Sequence, residues 1–247
     1  MRGFVLALGA GAALVASASA STTTFFAEDF NPTGVGTGGM PNSVGMRATF
    51  ASNLVGVGTE DFEGFAVGTT VPPPLAINFV GAGTATLNAT TSTLRISNDP
   101  RSAAGRWATS GSNYVETDAG GDFNIAFNNP GGVAAFGFYG TDLGDFGNQL
   151  TLRLTRTDNS TYDVVVPHSL GSNGSTDGRA IFFGLIATAG DTFTRVEFLN
   201  NPGGVDVFGF DDMMVGSLQQ VVPLPTAAWM GLAGLAGAGL VRRRRGR

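Results

Sequence analysis

Two acidic motifs offer the most chemistry in this sequence. One is Glu60-Asp61-Phe62-Glu63-Gly64, and the other is Phe210-Asp211-Asp212-Met213. Carboxylates gathered without a cation repel one another, and a hard cation such as Ca2+ takes several oxygen ligands at about 2.3–2.6 Å. Glu63, Asp211 and Asp212 are therefore the candidate ligands of a structural calcium ion. The alternative is that both pairs are solvated edge charges or satisfy turns. Asp142, Asp145 and Asn148 form a further oxygen-rich group at loop spacing. It lacks the D-x-D-x-D-G order and distal Glu of an EF-hand, so it reads first as a polar loop.

Catalytic constellations are scarce. His168 is the only histidine and there is no cysteine, which excludes thiol catalysis, thiolate metal sites, disulfides and a two-histidine zinc site. A Ser/His/Asp triad needs its nucleophile on a sharp turn, and no Gly-x-Ser-x-Gly occurs. No carboxylate pair stands out for glycoside hydrolysis. Trp107, Tyr114 and Tyr139 offer a weak stacking platform for a sugar ring. Against it, 19 of the 24 aromatic residues are phenylalanine, a side chain whose usual place is the core. In the Thr-rich stretch Thr84 to Thr93, only Thr84 and Thr86 alternate regularly, so no flat ice-binding array follows. These observations favour a non-catalytic protein.

Charge is segregated along the chain. All 19 acids lie between Glu28 and Asp212, while the bases are all arginine. One arginine sits at position 2 and five follow residue 241, leaving eight in the body and a body net charge of −11. Such a body repels nucleic acid, whose recognition needs a basic patch. The start of the chain has the three parts of a secretory signal peptide: Met1-Arg2, an apolar run from Phe4 to Val15, and Ala18-Ser19-Ala20. Residues 1–20 are therefore expected to be removed.

The elements that must position these residues read as mainly β. Residues 21–54 are expected to be a loose, glycine-rich arm followed by a short helix from Pro41 to Leu54. Asn42 or Ser43 would cap that helix, with Met46, Phe50 and Leu54 on one face. Residues 55–218 alternate short runs of Val, Ile, Phe and Thr with Gly, Asn, Asp and Pro, the pattern of an antiparallel β-sandwich. Expected strands include Asp61–Gly64, Gly105–Ala108, Gln149–Thr157 and Thr161–Pro167, the last two joined as a hairpin through Thr157-Asp158-Asn159-Ser160. Asn128-Asn129-Pro130-Gly131-Gly132 leads into Phe136-Gly137-Phe138, and Asn200-Asn201-Pro202-Gly203-Gly204 leads into Phe208-Gly209-Phe210. This echo predicts two analogous turn–strand units, one in each half of the sandwich.

The end of the chain has three parts in a fixed order: Val222-Pro223-Leu224-Pro225, an uncharged run over residues 226–241, and Arg242, Arg243, Arg244 and Arg245. Prolines stop the preceding fold. As a helix, the stretch from Ala227 to Val241 would rise roughly 22 Å at about 1.5 Å per residue. That is short of a bilayer core of about 30 Å, a gap that tilt and local thinning can close. Arginines hold their end on the cytoplasmic side.

This tail resembles the PEP-CTERM sorting signal of Gram-negative bacteria, a family also described as an ice-binding protein C-terminal domain. The resemblance covers residues 222–247 and departs from the family at Leu224, where Glu is commonest. It implies a single transmembrane helix, a transient stay in the inner membrane, and removal of the tail by an exosortase-type membrane protease during export to the cell surface or extracellular matrix. The two acidic motifs, as Phe62-Glu63 and Asp211-Asp212, resemble those of jelly-roll carbohydrate-binding and galactose-binding-like domains. In several of these families such motifs lie side by side and help to hold one Ca2+. Together these resemblances imply an exported jelly-roll-like sandwich with a carbohydrate-binding face and extracellular polysaccharide as partner. The alternative is a secreted glycosidase-like enzyme with the same tail.

Overall fold

The computed structural model describes residues 22–30, 39–55, 57–99, 105–118, 120–144, 149–171, 179–187, 191–199 and 207–216. In chain order the elements are β1 (Thr22–Asp29), α1 (Pro41–Ala51), β2 (Gly58–Glu60), β3 (Thr70–Val71), β4 (Leu75–Phe79), β5 (Gly83–Ala89), β6 (Leu94–Ser97), β7 (Tyr114–Asp118), β8 (Phe123–Phe127), β9 (Ala135–Thr141), β10 (Thr151–Arg156), β11 (Thr161–Val165), β12 (Ala180–Ala187), β13 (Phe193–Leu199) and β14 (Val207–Gly216). One sheet has eight strands in the order β1-β12-β9-β14-β7-β6-β3, with β2 also on β14; the other has six, β11-β10-β13-β8-β5-β4. The result is an antiparallel β-sandwich with one short helix.

Alternation explains the six-stranded sheet. Leu152 and Leu154 of β10 are buried, while Thr151, Arg153 and Thr155 face outward. The central strands of the other sheet do not alternate. β9 and β12 are buried at every residue, so both of their faces are covered. Their inner face carries Phe136, Phe138 and Phe183 into a core with Phe123, Phe127, Phe193 and Phe198 from the opposite sheet.

The outer face is covered by α1, and glycine makes that contact close. Gly137 and Gly184 are register partners on β9 and β12. A Cβ at Gly184 would lie 2.7 Å from the Phe50 ring, and one at Gly137 3.1 Å from it. Phe50 of α1 therefore fills a slot that two side-chain-free positions open.

Several expectations are corrected. The stretch read as a loose arm contains β1, which pairs with β12 over all eight residues. Phe25 and Phe26 hold it there: Phe25 packs against Phe50 outside and Phe26 against the core inside. The helix does begin at Pro41, but neither Asn42 nor Ser43 caps it by side chain. Instead the Asp29 carboxylate accepts the N–H groups of Asn42 and Ser43 at 3.1 and 2.8 Å, supplying what a cap supplies.

Residues 105–108 are irregular rather than a strand, and residues 61–64 turn, with Phe62 at φ 60°. The β10–β11 hairpin forms as expected, with Thr155 opposite Thr161. The two Phe-Gly-Phe segments do not lie in separate halves of the sandwich. They are β9 and β14, neighbours in one sheet, with Phe138 and Phe210 centroids 5.3 Å apart. The turn Asn200 to Gly204 lies outside the described residues, as do the predicted signal peptide and residues 222–247. Among the described residues no helix is long and apolar enough to cross a membrane.

Replacing Gly184 by alanine should push Phe50 out of its slot and destabilise the fold by about 1–3 kcal/mol, the usual effect of overpacking. Urea unfolding of Gly184→Ala beside the parent chain measures this.

Candidate functional site

The two acidic motifs both bond to one loop, residues 109–113. β14 carries one extra residue against β9 between Asp211 and Met214, a bulge with Asp212 at φ 46°. There β14 changes its second neighbour, from β7 over Val207–Phe210 to β2 over Met213–Val215. Asp211 Oδ2 accepts from Thr109 N at 2.7 Å, Thr109 Oγ1 at 3.0 Å and Ser110 N at 3.0 Å. Asp212 Oδ1 accepts from Ser110 Oγ at 2.8 Å.

At the far end of the same loop, Glu63 Oε1 accepts the N–H groups of Ser112 and Asn113. Between them Gly111 sits at φ +56°, where a Cβ would collide with the Glu63 carboxylate at 2.4 Å. Glu60, opposite Met213, turns its own carboxylate to the N–H groups of Phe62 and Asn78.

Glu60, Glu63 and Asp211 accept backbone N–H groups, several of them buried, where an unpaired donor costs about 1–3 kcal/mol, while Asp212 takes the Ser110 hydroxyl. Burial pushes the Asp211 carboxyl well above the usual carboxylate range, and the neighbouring Asp212 charge adds to the effect. Among the described residues no group of three or more His, Asp or Glu side chains is placed to hold a metal ion. Asp211 Oδ2, Asp212 Oδ1 and Glu63 Oε1 accept from residues 109–113, while Asp211 Oδ1 accepts the Asp212 N–H at 2.7 Å.

The stacking platform is a correction. Trp107, Tyr114 and Tyr139 are at most 1% exposed and present no ring to a ligand. They lie between the eight-stranded sheet and its cover, where large aromatic surface is most valuable as packing. Asp142 is likewise buried, at the end of β9, with its N–H on the Arg179 carbonyl at 2.9 Å; Asp145 and Asn148 lie outside the described residues.

His168 is structural. Its Nε2 accepts the Leu150 N–H at 2.9 Å and its Nδ1 faces the Ser169 carbonyl at 3.2 Å, so the neutral ring with the proton on Nδ1 fits both partners.

Among the described residues nothing covers the outer face of the six-stranded sheet. Its outward side chains on β4, β5, β10, β11 and β13 are exposed or half-buried. Register lines up a polar row across five strands. Asp163 stands opposite Arg153, Arg153 opposite Glu197, Glu197 opposite Asn124, and Asn124 opposite Asn88. The next row holds Thr161, Thr155, Arg195, Ala126 and Thr86.

The side chains of the first row are held in place. Arg153 forks onto Asp163 at 2.8 and 2.9 Å, Arg195 reaches Glu197 at 3.0 Å, and Asn88 donates to Asn124 at 3.3 Å. At about 4.8 Å between strands, the row runs roughly 19 Å. Arg153 holds the Asp163 carboxyl below its usual range, the opposite of what a general acid needs.

Sequence reasoning missed this row. Each residue reads alone as a solvated strand position, and only the register joins them.

His168 sets one pH response. Burial lowers its pKa, with Arg179 adding and Ser169 and Glu28 opposing. As pH falls through about 6.5 the unfolded chain takes a proton that the folded ring refuses, so stability is lost with acidification, by at most about 1.4 kcal/mol per pH unit. Asp211 and Glu60, raised by burial, act with the opposite sign. The readout is therefore the difference between the parent chain and His168→Gln in melting temperature from about pH 7 to 5. The parent should lose more; equal slopes would refute the assignment.

No protein-family model matches the chain, and no curated protein matches its sequence. Solved structures with some likeness include the K2 cleaved adhesin domain of Lys-gingipain, at 16% identity and TM-score 0.37 over 64% of this chain and 97% of that one. The CBM22-1 xylan-binding domain of Paenibacillus barcinonensis Xyn10C aligns at 10% identity and TM-score 0.34, over 65% of this chain and 99% of that one. An arabinose-bound α-L-arabinofuranosidase aligns at 12% identity and TM-score 0.39, over 78% of this chain and 31% of that one. At this distance the likenesses do not decide a ligand.

Proposed function

We propose that this chain is an exported, non-catalytic β-sandwich that binds an extended, hydroxyl-rich polysaccharide across the open face of its six-stranded sheet. The observation that carries this reading is the row Asp163–Arg153–Glu197–Asn124–Asn88, a line of fixed donors and acceptors. Planar amide, carboxylate and guanidinium groups suit vicinal hydroxyls because each can make two hydrogen bonds in one plane. A broad sheet face suits a chain ligand. Asp163 and Glu197 lie against arginines, and Arg153 holds the Asp163 carboxyl below its usual range, which favours binding over proton donation there.

The tail supports the export half of the reading. Proline break, uncharged run and arginine stop follow one another in residues 222–247, the order expected of a temporary membrane anchor removed by an exosortase-type protease.

Binding is tested by electrophoresis of the full chain, in mild non-ionic detergent, through native gels containing neutral glucan, xylan, galactan or an acidic polysaccharide. At least one neutral polymer should retard it. Arg153→Ala and Asn88→Ala should each weaken retardation about tenfold, or about 1.4 kcal/mol, with little change in melting temperature. Equal retardation of parent and variants would sink the site, and no retardation by any polymer would sink the function. Mass spectrometry of the chain recovered from a bacterium with an exosortase-type protease checks the tail. The expected product ends before Arg242, whereas one that keeps Arg242 to Arg245 would mean a permanent anchor.

A further inference from the structure

β1 ends the eight-stranded sheet, and its outer edge has no strand partner among the described residues. Open strand edges template pairing with other chains, and proteins blunt them with prolines, charges, bulges or short length. The other three sheet ends here are blunted. β3 has two residues and runs into Pro72-Pro73-Pro74, and β4 begins directly after those prolines. β11 is five residues long, carries Asp163 on its exposed face and is followed by Pro167.

β1 has none of these devices. It is eight residues long, pairs with β12 without a register shift, and is uncharged from Thr22 to Ala27. Its two acids are already engaged: Glu28 with Ser169, and Asp29 with the start of α1. It also leaves apolar surface uncovered. Among the described strand phenylalanines, only Phe25 and Phe26 are not buried.

We propose that β1 is a homodimer edge: two copies pair their β1 strands antiparallel about a two-fold axis near Phe25, joining their eight-stranded sheets into one. The sequence is self-complementary in that arrangement. Phe25 meets Phe25, Thr24 meets Phe26 and Thr23 meets Ala27, covering both half-exposed rings. Glu28 of each copy falls opposite Thr22 of the other, at opposite ends of the interface, whereas parallel pairing would stack the acids. An isologous contact of this kind closes on itself and stops at two copies. Elsewhere the acidic body repels its own kind.

The chain has no cysteine, so single introduced cysteines report the contact directly. In the full chain in non-ionic detergent, Thr23→Cys, Thr24→Cys, Phe25→Cys and Phe26→Cys are compared with Val80→Cys, an exposed site on another strand junction. Disulfide-linked dimer should peak at or beside Phe25 and fall toward the Val80 background. Light scattering should show a dimer that Thr24→Lys converts to monomer at unchanged melting temperature. A parent chain that is monomeric, uniform disulfide yields, or a dimer that survives Thr24→Lys would each overturn the proposal. The last would place the contact in the C-terminal tail, and a monomer with slowly exchanging β1 amides would place a segment of the same chain on the edge.

Discussion

Phenylalanine packing between the sheets is the interaction on which the rest of the structure depends. Phe123 stacks on Phe198 with centroids 4.2 Å apart. Phe136, Phe138 and Phe210 meet Phe198 at 5.1–6.0 Å, at steep angles. With no disulfide to restrain the chain, this layer supplies the burial that must offset conformational entropy. It also explains Gly137 of β9 and Gly184 of β12. When the inner face is filled by large rings, the outer face of the same strands can accept a helix only where Cβ atoms are missing.

Charge plays a different part inside and out. Glu60 accepts the amides of Phe62 and Asn78, while Glu63, Asp211 and Asp212 accept amides and hydroxyls of residues 109–113 and fix that segment as a cover. Trp107 and Tyr114 are buried beside that cover. On the open sheet, carboxylates face arginines and amides, and their partners are other side chains. The first group builds the covered side of the sandwich, and the second leaves a patterned surface on the uncovered side. Among the described residues one sheet is thus roofed and the other is not.

The sandwich was legible in the sequence because strand alternation and turn chemistry are local. Leu152 and Leu154, and the Asp158-Asn159 turn, announce a hairpin without help from elsewhere. β1 was hidden because three threonines and two adjacent rings give no period, and its place depends on Gly184 and Phe50 far along the chain. The acids of the two motifs were visible, but their donors were not, since Thr109 and Ser110 lie about a hundred residues from Asp211. The polar row was invisible for the same reason: it exists only after five strands have found their register.

The pairing of Thr22 with Ala187 also constrains how the molecule comes into being. Among the described residues, the first strand's one strand partner, β12, is among the last elements made, and α1 waits with it because Asp29 holds both. Nearly the whole chain must be present before the eight-stranded sheet can close, so contacts of long sequence separation dominate the rate-limiting stage of folding. The sheet therefore cannot close before β14, residues 207–216, has joined it between β9 and β7.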